Sequence, residues 1–306
     1  MKAQVSEFRT PTDEQRFRET YTELVERHWP AVPRTELDVP TDFGTTRVRR
    51  SGDRPGTPIV MLHPTMGGSI GLYPFIEPLT RHRVVYTPDT MGTPGHNDQT
   101  KPIVGPRDLA AWLDQTLDAL GLDRVHLAGY SKGGYVACLA AALSTRPDRV
   151  ATLTLLEPGG AIGDIRKSTM AGLAVSGIRL MFTRDKREGM KRIGRWLNGG
   201  SHELSDDILD YARLGATRFR HRNPWPRKLP DHQLQRIAAP THLLLGGRSR
   251  LYDPRALADR AERLLPDLTT HIVAQGGHGF GYDAPEETMT RVLTFIADRE
   301  SRPTRS

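Results

Sequence analysis

A chain of 306 residues with 37% hydrophobic and 26% charged residues is long enough to bury a full core with a pocket in it, as one large domain or two ordinary ones. Its mean hydropathy of -0.50 excludes low-complexity disorder and a membrane-spanning chain, and no apolar run approaches the roughly 18 residues that a spanning helix needs. The formal charge of +7 rests on 36 Arg against 7 Lys, without the clustered motif of a nucleic-acid-binding protein, so no nucleic-acid partner is expected. The excess is local: positions 161–236 hold 16 basic and 8 acidic residues, while the rest of the chain is close to neutral. One cysteine excludes an intramolecular disulfide, and the first residues lack the apolar stretch of a secretory signal, so a cytoplasmic location is the expectation.

In chain order, Phe17, Tyr21, Leu24 and Val25 fall at helical spacing and predict a helix over Asp13 to Trp29. Alternating residues in Arg34 to Val39 and Thr45 to Arg49, separated by Asp42-Phe43-Gly44, predict a hairpin. Short β-rich apolar runs follow at Pro58 to Leu62, Arg83 to Tyr86, Arg124 to Ala128, Val150 to Leu156, Thr241 to Leu245 and Thr269 to Val273. Between them lie helical stretches at Ile70 to Thr80, Gly105 to Leu120, Lys132 to Ser144, Pro254 to Leu265 and Pro285 to Arg299. Such alternation implies an α/β fold with a mainly parallel central sheet flanked by helices. From Gly159 to Ala239 the alternation gives way to helical, Arg-rich sequence without evident strands. An insertion there, after the sixth strand, would cover the strand C-termini as a helical cap, where open α/β sheets place their ligands. The expected organisation is a core over 1–160 and 239–306 with a cap over 161–238.

The chemistry concentrates in Val125-His126-Leu127-Ala128-Gly129-Tyr130-Ser131-Lys132-Gly133-Gly134, a strand, then Gly-x-Ser-x-Gly, then a helix. A sharp turn of this kind lifts the serine hydroxyl above the sheet, and its small residues permit the close backbone packing the turn needs. The helix that follows aims the N–H after the serine at a developing oxyanion. No His, Cys, Asp or Glu group has metal-ligand spacing, and no other Gly-rich turn resembles a nucleotide site, so neither metal nor cofactor is expected.

In this order and spacing, Asp38 to Thr46, the Leu62-His63-Pro64-Thr65-Met66-Gly67-Gly68 loop, Pro88-Asp89-Thr90-Met91-Gly92, the serine turn and Gly276-Gly277-His278-Gly279 resemble the α/β-hydrolase superfamily, in its carboxylesterase-like branch. The resemblance runs from Val39 to Ala297 and implies the α/β-hydrolase fold and a serine hydrolase. It implies Ser131 as nucleophile and His278 as its general base, since an unaided serine hydroxyl is a poor nucleophile. It also implies an oxyanion hole from the amides of Thr65 and Lys132; Pro64 replaces a glycine common in relatives and removes a donor.

The acid departs from the family pattern. In Gly246-Gly247-Arg248-Ser249, Ser249 stands where relatives carry Asp or Glu. Glu157, directly after the sixth strand, is the preferred substitute. Asp253 is the alternative acid, with a helix N-cap as its competing role, and a chain without the acid is the third possibility. The leading function is cleavage of a small-molecule carboxylic ester through an acyl-enzyme. The alternatives are a thioesterase or acyltransferase on a CoA-bound or carrier-borne acyl group, with an acidic acyl carrier as partner for the Arg-rich segment, and a lyase, a cyclase or a binding module on the same fold. The Lys132 side chain either meets an anionic group of the substrate or reaches solvent.

Overall fold

A computed structural model describes residues 4–65, 67–198 and 205–302. Met66 of the quoted loop, positions 199–204 of the expected cap and the last four residues lie outside them. The main sheet runs, from one edge, Leu268–Val273, Thr241–Gly246, Val150–Leu156, Val125–Tyr130, Ile59–Leu62 and Val85–Pro88, all parallel, and then Gly44–Ser51 and Arg34–Thr41, both pairs antiparallel. The predicted hairpin and all six parallel strands are present, so the α/β class and the mainly parallel sheet hold.

Period-two alternation sorts the strand residues into two cores. Val60, Leu62, Val125, Leu127, Leu153, Leu155, Leu243 and Leu245 join one cluster, under the helices Pro106–Ala119, Lys132–Leu143 and Pro254–Leu264. Ile59, Met61, Ala128, Tyr130, Leu156 and Leu244 join the other, under Pro11–His28, Tyr73–Thr80 and Pro285–Glu300. A strand buried on both faces needs apolar residues throughout, which is why these segments read as continuous apolar runs.

Several boundaries differ from the sequence expectation. The strand expected at Arg83 to Tyr86 runs Val85–Pro88, because Arg81, His82 and Arg83 donate their amides back to Glu77 and Leu79 and finish the preceding helix. The helix expected from Ile70 is a 3-10 turn, Ser69–Leu72, followed by an α-helix from Tyr73. Pro74, which has no N–H to give, stands in the first turn of the second piece.

The Gly159 to Ala239 segment supplies the helices Lys167–Phe182, Lys186–Asn198 and Asp206–Arg218. It also holds a strand the sequence did not disclose, Phe219–Arg220, paired antiparallel with Glu7–Phe8. Two residues are too few to show a period. Asp206–Arg218 buries Ile208, Leu209, Tyr211 and Leu214, and Tyr211 stacks on Phe17 of the first helix. No helix among the described residues is long and apolar enough to cross a membrane.

A very close backbone contact lies at the strand-to-helix turn. A Cβ on Gly133 would sit 2.1 Å from the Leu62 carbonyl oxygen, and one on Gly129 would sit 2.3 Å from the Gly133 backbone. Both neighbours are backbone and cannot swing away. Gly133→Ala is therefore expected to destabilise the protein by about 3 kcal/mol, measured as a lower midpoint in urea unfolding.

Candidate active site

Four groups meet above the sheet, each carried at or just beyond the C-terminal end of a parallel strand. Ser131 follows Val125–Tyr130, Glu157 follows Val150–Leu156, the 246–249 turn ends Thr241–Gly246, and His278 lies in the loop after Leu268–Val273. Ser131 and Glu157 are the two non-glycine residues with positive φ among those described, at 52° and 47°. Such backbone is costly and persists where the surroundings over-determine it. Here the Ser131 amide donates to the Leu156 carbonyl at 2.9 Å, the Gly159 amide donates to the Ser131 carbonyl at 3.0 Å, and the Glu157 amide donates to the Leu244 carbonyl at 2.9 Å.

His278 bridges the serine and the glutamate. Its Nδ1 is 2.8 Å from Glu157 Oε2 and its Nε2 is 3.1 Å from Ser131 Oγ. A carboxylate only accepts, so Nδ1 carries the proton and Nε2 is left as the acceptor for the serine O–H. Glu157 is fully buried, and its remaining valences are met: Oε1 accepts from the Gly246 amide at 2.6 Å and Oε2 accepts from the Ser249 hydroxyl at 2.7 Å. Buried carboxylates need this degree of satisfaction. From below, the Tyr130 hydroxyl donates to the His278 carbonyl at 2.6 Å, which ties the histidine loop to the serine strand.

Asp253 is not brought to this group. It caps Pro254–Leu264, with Oδ1 accepting from the Arg255 and Ala256 amides at 3.1 and 3.2 Å, and its other oxygen lies 3.5 Å from Arg166 at the surface. Thr65 faces the same cavity as Ser131 and His278. Lys132 is the first residue of its helix, where an amide has no partner inside the helix. His63 is fully buried beneath this loop. The Thr90 amide donates to its Nε2 at 2.9 Å, so Nδ1 holds the proton and donates to the Pro64 carbonyl at 2.6 Å. Burial keeps its pKa below the usual histidine range, and the ring acts as a strut between two loops.

Two contributors escaped the sequence reading. Ser249 was legible as a vacancy, yet its hydroxyl reaches the carboxylate that lies on the neighbouring strand. Tyr130 gave no signal, since a tyrosine within an apolar strand reads as core.

The cavity over Ser131 has a volume of about 340 Å³. Its walls are Ile70, Tyr73 and Tyr282 from the core and Met190, Ile193, Leu197, Ile208 and Leu209 from the helices of the inserted segment; no charged side chain lines it among the described residues. Several arginines of that segment pair with carboxylates away from the cavity. Arg187 meets Asp206 at 3.2 Å, Arg195 meets Glu188 at 2.7 Å and Arg220 meets Glu7 at 3.3 Å. The basic excess is thus not what the cavity offers a substrate.

A family model described as "Alpha/beta hydrolase family" matches residues 59–291. Carboxylesterase YbfK of Bacillus subtilis is 25% identical over 88% of this chain and 89% of its own length. A 2-hydroxy-6-oxononadienedioate/2-hydroxy-6-oxononatrienedioate hydrolase of Pseudomonas putida is 31% identical over 78% of this chain and 87% of its own. Among solved structures, naproxen esterase of Bacillus subtilis superposes with a TM-score of 0.83 at 24% identity, over 94% of this chain and 99% of that one.

Ser249→Ala removes one charge-assisted hydrogen bond from Glu157, a contact of about 1.5–3 kcal/mol. It is expected to lower kcat roughly 10- to 100-fold with little change in KM, in steady-state assays against any ester the wild type turns over. Ser249→Thr, which keeps the hydroxyl, is expected to retain most of the rate.

Proposed function

The chain belongs to the alpha/beta hydrolase family, and on that premise we propose that it hydrolyses carboxylic esters with an apolar group on one side of the scissile bond, through an acyl-enzyme on Ser131. The observation that carries this reading is the unbroken hydrogen-bonded line Glu157–His278–Ser131 at the floor of an uncharged, largely apolar cavity.

In this reading His278 Nε2 takes the serine proton as Oγ attacks the ester carbonyl, and Glu157 orients the imidazole and stabilises the cation that forms. The Thr65 and Lys132 amides hold the oxyanion, a contribution of about 10²–10³ in rate per donor in comparable sites. The tetrahedral intermediate collapses, the alcohol leaves with the proton held by His278, and water repeats the sequence to release the acid. Residues 161–238 serve as a cap on a core of 1–160 and 239–306, and the cap's contribution is the apolar wall. A thioester could enter the same acyl-enzyme.

The Pseudomonas putida relative acts, by its name, on dioates. One of the two carboxylates of such a molecule would have to lie in the uncharged cavity, so the ester is favoured.

A fluorophosphonate probe is expected to add one equivalent to the wild type by intact mass and none to Ser131→Ala. Glu157→Gln is expected to cost about 10⁴ in kcat; unchanged turnover in that variant would remove Glu157 from the mechanism. Leu197→Trp, which fills part of the cavity, is expected to lower kcat/KM for a butyrate ester at least 10-fold relative to the acetate, since one methylene in such a pocket is worth roughly 10–200-fold.

A further inference from the structure

The apolar wall that the inserted helices give the cavity has one polar interruption. Met190, Ile193, Leu197, Ile208 and Leu209 line it, and so does Asn198, the last residue of Lys186–Asn198. Tyr211, the other polar residue of the insertion there, spends its hydroxyl on the Gly67 carbonyl. On the core side the Tyr130 and Tyr282 hydroxyls donate to the His278 and Gly71 carbonyls at 2.6 and 2.9 Å. The Asn198 carboxamide is half-buried and makes no hydrogen bond among the described residues. The Thr65 and Tyr73 hydroxyls share that condition, and Asn198 is set apart from them by where it rests.

It lies against Gly279, the residue after His278. A Cβ on Gly279 would meet Asn198 Cγ at 2.8 Å and Nδ2 at 3.0 Å. Gly279 has a φ of -94°, which does not call for glycine; what its missing side chain provides is room for the amide. An asparagine near a helix C-terminus can simply help to end the helix. That role leaves unexplained why the carboxamide lies over the histidine loop in the lining of the cavity.

In the ester reading His278 hands its proton to the departing alcohol oxygen, so the first atoms of the alcohol lie at the His278 ring. A carboxamide resting on the next residue meets what that alcohol carries a bond or two further on. It offers two donors and an acceptor without charge, and no charged side chain lines the cavity among the described residues. The group that complements it is neutral and both gives and takes a hydrogen bond.

We propose that Asn198 is a specificity-determining residue that hydrogen-bonds a hydroxyl on the alcohol side of the ester, so that the substrate is a monoester of a diol or polyol with an apolar acyl chain. This rests on the esterase reading and names its substrate class.

The test compares 2-hydroxyethyl butyrate with propyl butyrate, in which a methyl replaces the hydroxyl. Asn198→Ala removes the carboxamide without adding apolar bulk, and Asn198→Leu replaces it with an apolar group of similar size. In both variants kcat/KM for 2-hydroxyethyl butyrate is expected to fall 10-fold or more, and its ratio to the value for propyl butyrate to fall with it. The intrinsic reactivities of the two esters are the same for every variant and cancel when the ratios are compared. A wild type that turns over propyl butyrate alone, or an unchanged ratio, overturns the proposal. So does a ratio that moves only because propyl butyrate gains, which is what a less polar wall by itself would produce. A residue that merely ended its helix would lower Tm and leave the ratio where it was.

If folded wild type turns over neither ester, the esterase reading fails, and the contact is judged by binding. In titration calorimetry, N-(2-hydroxyethyl)butanamide, an amide of the same shape, should bind the wild type at least 5-fold more tightly than Asn198→Ala, with a smaller difference for N-propylbutanamide. Equal losses for the two amides, equal affinities in the two proteins, or no binding overturns the contact itself.

Discussion

The site depends first on how closely one helix lies on one strand. Without side chains at Gly129 and Gly133, Lys132–Leu143 can seat its first turn directly over the strands Val125–Tyr130 and Ile59–Leu62. The chain between must then reverse within a single residue. Ser131 takes the positive φ that this reversal demands and ends with its hydroxyl held above the sheet. A bulkier residue at either glycine would lift the helix, relax the turn and lower the serine into the backbone.

The rest of the arrangement follows from parallel strands. Such strands bring their C-termini to one edge, so groups far apart in sequence become neighbours without any long excursion of the chain. Ser131 and Glu157 end adjacent strands, the 246–249 turn ends the next, and His278 follows the outermost. The inserted helices close over this edge and present apolar faces to it. Their charged faces are spent on one another and on the surface.

Much of this was legible in the sequence because the relevant signals are local. The serine turn is written in two glycines and the switch from β-rich to alanine-rich residues, and the double-sided burial of the sheet in its apolar runs. What depends on reach across strands was not. Glu157 was preferred to Asp253, whose place before Pro254 also suited a helix N-cap, but nothing in the sequence says that Glu157 extends under the neighbouring turn. Ser249 read as a missing acid, although its hydroxyl supports the carboxylate next door. The arginines of the inserted segment were visible as composition, but composition does not say which face of a helix they take. The Phe219–Arg220 strand was invisible because its partner, Glu7–Phe8, lies more than two hundred residues away.

The four strands are not equally secure. Ser131 and Glu157 stand on interior strands whose residues are almost all buried, whereas His278 hangs from Leu268–Val273, the edge strand, whose residues are half-buried or exposed. Edge elements open at lower free energy than the global transition; the strand pairs on one side with Thr241–Gly246, and the Tyr130 hydroxyl adds a tie to the His278 loop that follows it. The hydrogen-bonded line Glu157–His278–Ser131 therefore breaks first at the imidazole. On warming, the protein would pass through a range in which its fold is intact and its serine and carboxylate are still in register, yet the imidazole between them is intermittently absent. The working temperature of the enzyme is then set by the fraying of one strand rather than by the melting of the domain.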